Sequence, residues 1–155
     1  MSIRFAALDS AIVEGLRRGD KDANGHHPET AVSDGKGVPC RHCLAPVEDG
    51  GRYLILAHRP FPEPQPYAEV GPIFLHADAC PRGGGEDVPR MLASPQYIIR
   101  GYSARDRIVY GTGRIVATPA IREAAAHLLA DPAIAYVHVR SASNNCYQCR
   151  IDRAT

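Results

Sequence analysis

Four of the five cysteines stand in two pairs of the same spacing, Cys40-Arg41-His42-Cys43 and Cys146-Tyr147-Gln148-Cys149. A Cys-x-x-Cys pair lets two thiolates reach one tetrahedral ion from a single turn, and two such pairs supply the four sulfurs of a closed zinc site. Thiolates also select zinc over hard cations. Zinc ribbons separate their pairs by about 15–20 residues. Here residues 44–145 intervene, so only the tertiary fold can bring the pairs together. The first expectation is therefore a zinc ion held by Cys40, Cys43, Cys146 and Cys149. His76 and Cys80, which follow Gly71-Pro72-Ile73-Phe74 at the end of a strand-like run, are alternative ligands that can complete a mixed site with one pair.

Two other chemistries compete with zinc. Arg41 and His42 lie between Cys40 and Cys43, and positive charge there favours thiolate and thiol-redox exchange. Redox pairs of the thioredoxin kind open a helix, however. Leu44-Ala45-Pro46 and then Asp49-Gly50-Gly51 read as a turn into a strand, the context of a zinc-knuckle hairpin. The second alternative is a metal-independent enzyme or binder of a small molecule. Alternation in Tyr136-Val137-His138-Val139-Arg140 puts the valines on the core side and Tyr136, His138 and Arg140 on the other. His76 and His138 are then the acid/base candidates. Arg100 and Tyr102, which share a strand face, are candidate substrate-binding residues for an anion. The pocket would be roofed by the polar stretch 19–38. Gly83-Gly84-Gly85 is not a phosphate loop, because no Gly-Lys-Ser/Thr follows it.

These residues need elements to position them. Residues 10–18 read as a short helix with Ser10 as N-cap, Ile12, Val13 and Leu16 on one face and Gly19 as the stop. Residues 19–38 hold almost no large apolar side chain and read as a flexible polar loop. Residues 52–59, 73–76, 96–103, 107–116 and 135–140 carry β-branched or aromatic residues at period two and read as strands. Pro60, Pro62, Pro64 and Pro66 mark an exposed connector. One main helix is expected over 119–130, with Thr118 as N-cap and Ile121, Ala125, Leu128 and Leu129 as its buried stripe. The pattern implies an α+β fold: a curved, mostly antiparallel sheet or partial barrel with the helix packed on one face.

Length and composition set the outer bounds. A chain of 155 residues with 45% hydrophobic side chains can build one domain with its own core. Eighteen Lys+Arg against seventeen Asp+Glu leave a net charge of +1, which removes the global electrostatic case for nucleic acid or an anionic membrane. No apolar run nears the roughly 20 residues that span a bilayer. The start, Met1-Ser2-Ile3-Arg4-Phe5, lacks a secretory signal pattern. An odd number of cysteines argues against a closed disulfide framework, so the cytoplasm is the expected compartment.

Three segments together resemble one bacterial family. They are Pro39-Cys40-Arg41-His42-Cys43-Leu44, Gly71-Pro72-Ile73-Phe74-Leu75-His76, and Ala135-Tyr136-Val137-His138-Val139 followed by Cys146-Tyr147-Gln148-Cys149-Arg150-Ile151-Asp152-Arg153-Ala154. In this order they resemble domain-of-unknown-function family 1203. The resemblance implies a small, single-domain bacterial protein in a cytosolic setting, and it brings no catalytic residue with it.

Overall fold

The computed structural model describes residues 1–154. Two antiparallel sheets and two short helices make up the α+β architecture. The larger sheet comprises β1 (Ile3–Ala6), β5 (Gly84–Gly85), β6 (Gln96–Tyr102), β7 (Arg114–Ala117), β8 (Tyr136–Ser141) and β9 (Tyr147–Arg153), in the spatial order β5-β1-β9-β8-β6-β7. The smaller sheet is β2 (Glu29–Val32), β3 (Arg52–His58) and β4 (Gly71–His76), with β3 in the middle. Neither sheet closes into a barrel among the described residues.

Helix α2 (Ile121–Leu129) covers one face of the larger sheet. Its buried residues Ile121, Ala125 and Leu129 recur every four positions, the spacing that keeps side chains on one helical stripe. They pack on Phe5, Ile99, Val137, Val139 and Ile151. β7 and β8 both lie antiparallel to β6 on its two sides, so they run parallel to each other and α2 is the crossover between them. Thr118 does not cap this helix. A 3-10 turn over Thr118–Ala120 precedes it, and the Thr118 hydroxyl donates to the Ser94 carbonyl instead.

Helix α1 (Ser10–Arg17) packs Val13 and Leu16 on Leu54, Leu56, Ile73 and Leu75 of the smaller sheet, forming a second apolar cluster. Its N-cap is Asp9, whose carboxylate accepts from the Ala11 amide at 2.8 Å, rather than Ser10. Ile12 is 60% exposed and does not join the buried stripe.

Three further differences from the sequence pattern have backbone causes. The polar stretch 19–38 contains β2, because ladder hydrogen bonds to β3 need backbone groups and not apolar side chains. Within 107–116 only Arg114 onward pairs regularly, since Gly111 adopts a positive φ that breaks the run. The segment around Cys149 is β9, a strand paired on both sides. Both expected helices form, with eight and nine residues, and the strands divide between two sheets.

Candidate metal centre

The Cys40–Cys43 segment is a tight turn. The Cys40 amide donates to the Ala45 carbonyl at 3.0 Å, and the Leu44 amide donates back to the Cys40 carbonyl at 2.9 Å. Leu44 sits at φ 57°, a region that side-chain-bearing residues rarely adopt. Its side chain is buried in the core beneath α2, and its carbonyl accepts from the Met91 amide, so packing and a hydrogen bond offset the strain. The turn is docked on β4 by the Arg41 amide, which donates to the Phe74 carbonyl at 3.1 Å. That register puts Cys40 beside the end of β4, where His76 emerges.

Four donors gather there. One donor atom from each of Cys40, Cys43, His76 and Cys80 lies within 4.8 Å of the others. The Cys43 sulfur is 3.4 Å from His76 Nδ1, and the Cys40 sulfur is 4.0 Å from that of Cys80. Tetrahedral zinc with Zn–S near 2.3 Å and Zn–N near 2.0–2.1 Å separates its donors by roughly 3.4–3.8 Å. The two closest approaches match that shell to within a few tenths of an ångström, and donors within 4.8 Å of one another would close on an ion by up to about 1 Å.

The surroundings fix the donors in place. His76 Nε2 is 3.1 Å from a Glu48 carboxylate oxygen; with the proton on Nε2, Nδ1 presents its lone pair to the sulfurs. The His76 amide donates to the Cys40 sulfur at 3.2 Å. From α1, Arg17 donates to the Cys80 sulfur at 3.1 Å and to the His76 carbonyl at 3.0 Å. His42 contacts the Cys80 sulfur through Nδ1 and the Ser10 hydroxyl through Nε2. Gly83 lies so close to the turn that a Cβ there would overlap the Cys43 carbonyl, and its amide donates to the His42 carbonyl at 2.8 Å.

The thiols divide their charge unequally. A hydrogen bond from Cys43 holds Cys40 down to about 4, outweighing burial, and the amides of Cys43, His76 and His42 assist. The same bond, together with burial, pushes Cys43 up. Burial and then the neighbouring Cys40 charge raise Cys80. Burial alone would lower His76, but its hydrogen bonds to Cys40 and Glu48 bring it above its ordinary value. One thiolate thus suppresses ionisation of the other two, and a divalent cation at the centre would stabilise all three.

The second Cys-x-x-Cys pair does not join this cluster. Cys149 is buried in the core beneath α2, opposite Val139 on β8, and burial pushes its thiol up to about 12. Cys146 lies in the turn before β9, with its sulfur against the Asn144 carbonyl. The donors that gather are those of the alternative set, Cys40 and Cys43 with His76 and Cys80. Cys146 and Cys149 lie apart because the chain extends into a strand there, where consecutive residues alternate between faces. Glu48, Arg17, Ser10 and Gly83 had no signal as supports of a metal centre in the sequence; only His42, placed between two candidate ligands, was marked by position.

The remaining candidates occupy the other face of the larger sheet. Arg100 pairs across from His138, and Tyr102 across from Tyr136. Tyr102 and His138 are almost wholly buried. The Tyr102 hydroxyl accepts from Arg100 Nε at 2.8 Å. His138 is packed against the rings of Tyr102, Tyr136, Tyr147 and Phe61. Burial, then the charges of Arg140, Arg150 and Arg100, hold His138 well below its ordinary value. Phe61 and Glu69, from the proline-rich connector, cover this face in place of the 19–38 stretch. His76 belongs to the sulfur cluster and lies away from it.

No helix among the described residues is long and apolar enough to cross a membrane. No curated protein and no solved structure matches the chain. A match does cover residues 37–153, a span that includes all four donors and both faces of β8. On that match the chain belongs to the family described as "Protein of unknown function (DUF1203)".

Proposed function

We propose that the protein binds one zinc ion through Cys40, Cys43, His76 and Cys80, and that the ion is structural. The observation that carries the reading is the gathering of three sulfurs and one imidazole nitrogen within 4.8 Å of one another. Three thiolates and one histidine form a recognised closed zinc shell, which leaves no position for a reacting water. The ion would fasten the 40–45 turn, the end of β4 and the segment after it into one unit, and α1 would be latched to that unit through Arg17. The contact between His76 Nε2 and Glu48 supports the reading further, since metal-bound histidines commonly give their second nitrogen to a carboxylate. A dithiol redox role for Cys40 and Cys43 is less well supported. The pair lies in a turn and not at a helix start, and a third sulfur and an imidazole crowd it. In a reducing compartment such as the cytoplasm of a bacterial cell, the thiols would remain available to the metal.

Elemental analysis of the purified protein tests this directly, with close to one zinc per chain expected. Cobalt substitution should give the thiolate charge-transfer absorption of a tetrahedral site with three sulfurs. Metal-free protein whose melting temperature does not respond to chelator, or metal lost on Cys149→Ser and kept on Cys80→Ser, overturns it.

A further inference from the structure

The second face of β8 is buried yet charged. His138 and Arg140 lie on it, flanked through strand pairing by Arg100 of β6 and Arg150 of β9. Arg150 is paired with Asp152. Glu69 is divided between Arg100 and Arg140, at 2.8 and 2.9 Å, so two guanidiniums share one carboxylate and one positive charge is left in excess. Arg140 is only 5% exposed, and its Nη1 has no hydrogen-bond partner among the described residues. The same is true of His58 Nε2 at the end of β3. His138 Nδ1, on the same face as Arg140, is a third such atom. Because buried polar atoms of native proteins nearly always find partners, these orphans need a reason.

Arg140 and His58 line one cavity of ≈ 190 Å³ at the seam between the two sheets. About 150 Å³ suffices for a benzene-sized molecule. Pro60, Val70, Pro72 and Tyr147 give the cavity an apolar wall, while Arg140, Asn144 and Asn145 supply a polar end, where the Glu69 carboxylate that pairs with Arg140 also lines the cavity. A β-bulge between β8 and β9 puts Tyr147 there: Val139 pairs with Cys149, but Arg140 pairs with Tyr147, so Gln148 is the extra residue. Without that bulge Tyr147 would share the face of Cys149, beneath α2. We infer that this seam is a binding site, separate from the metal centre, for a small organic acid with one carboxylate. Arg140 is its cationic anchor, and the wall around Tyr147 receives its apolar body. The positive charge that Glu69 leaves uncompensated at Arg100 and Arg140 favours an anion, and the apolar wall favours one with an organic body. His58 stays neutral and can donate from Nε2, because burial and then the charges of Arg41 and Arg59 lower it to about 4.

Cys146 lines the same cavity and is partly exposed, so its alkylation reports occupancy. The test is iodoacetamide labelling of the full chain, read peptide by peptide, with isobutyrate, its uncharged isostere isobutyramide, or inorganic phosphate added. Isobutyrate should slow labelling of Cys146 at least threefold at saturation and leave Cys43 and Cys80 unchanged, and isobutyramide and phosphate should not slow it. Arg140→Gln should abolish the protection. Arg140 is buried, so Glu69→Gln gives an independent readout of opposite sign. Freeing both arginines from their shared carboxylate should tighten isobutyrate at least threefold. Equal protection by isobutyramide, protection by phosphate alone, no protection by isobutyrate, or weaker binding in Glu69→Gln each overturns the proposal. None of these readouts depends on whether the sulfur cluster holds zinc.

Discussion

The two Cys-x-x-Cys segments have the same spacing and opposite fates. At Cys40–Cys43 the backbone turns back on itself within six residues, so both sulfurs point into one space beside β4. At Cys146–Cys149 the backbone extends into β9, and Cys149 is carried to the helix-covered face while Cys146 stays in the preceding turn. The segments do meet. Arg41 Nε donates to the Tyr147 carbonyl at 2.9 Å, with Arg41 almost fully buried. They meet through a guanidinium and a carbonyl, and not through sulfur. Spacing alone is thus a half-signal: three residues bring two thiols together on a turn and drive them apart on a strand.

The largest effect separating the two segments should come from Cys80→Ser. Loss of one ligand of a closed shell should empty the site and cost about 4 kcal/mol or more, about 10 °C in Tm at 2–4 °C per kcal/mol for a domain of this size. Calorimetry beside metal analysis checks it, and an unchanged Tm with zinc retained would break the contrast. Cys149→Ser should also destabilise, by about 2 kcal/mol, because it buries a hydroxyl without a partner. Its zinc content should stay at one per chain.

Acid should act on the seam beside the second segment. His58 titrates near 4 in the folded protein and near 6.5 in the unfolded chain. The unfolded state therefore binds the proton first, and stability present above pH 6.5 is lost as pH falls towards 4. Between pH 7 and pH 5 this amounts to about 2 kcal/mol at 1.36 kcal/mol per unit. Denaturant melts should show that wild type loses this much more than His58→Phe over that interval, and equal losses would refute it. Glu48→Gln should weaken zinc about tenfold in a chelator competition, since it removes a carboxylate that orients a ligand without removing the ligand. The smallest effect belongs to Cys146→Ser, within about 0.5 kcal/mol of wild type and with zinc retained.

Much of this was legible, and the boundaries of legibility are physical. Period-two runs located β3, β4, β6 and β8, because each has one face against apolar side chains for six or seven residues. The knuckle turn was legible from Cys-x-x-Cys followed by Ala45-Pro46. His76 and Cys80 stood out as alternative ligands because both follow the same strand. β1 and β2 span four residues each, too few for a period to be counted. β9 was hidden because its cysteines read as a metal motif, and its charged Arg150 and Asp152 obscured the alternation. Glu48 and Arg17 reach the centre from a loop and a helix whose placement is set by packing, so no local pattern marks them. The bulge that turns Tyr147 into the seam is a property of two paired strands and exists in neither strand alone.

The order of strands in the larger sheet has a consequence for the way the chain is made. β9 lies between β1 and β8, and the other neighbour of β1 is the two-residue β5, so the first strand synthesised lacks the partner that pairs with all four of its residues until residues 147–153 have left the ribosome. The four donors are complete by residue 80, in a unit with α1 and the smaller sheet. During vectorial synthesis the sulfur cluster can therefore assemble early, leaving the β1 edge waiting for a strand encoded near the other end of the message. An ion captured at that stage would act first as a nucleus for half a protein, and only later as a rivet in a whole one.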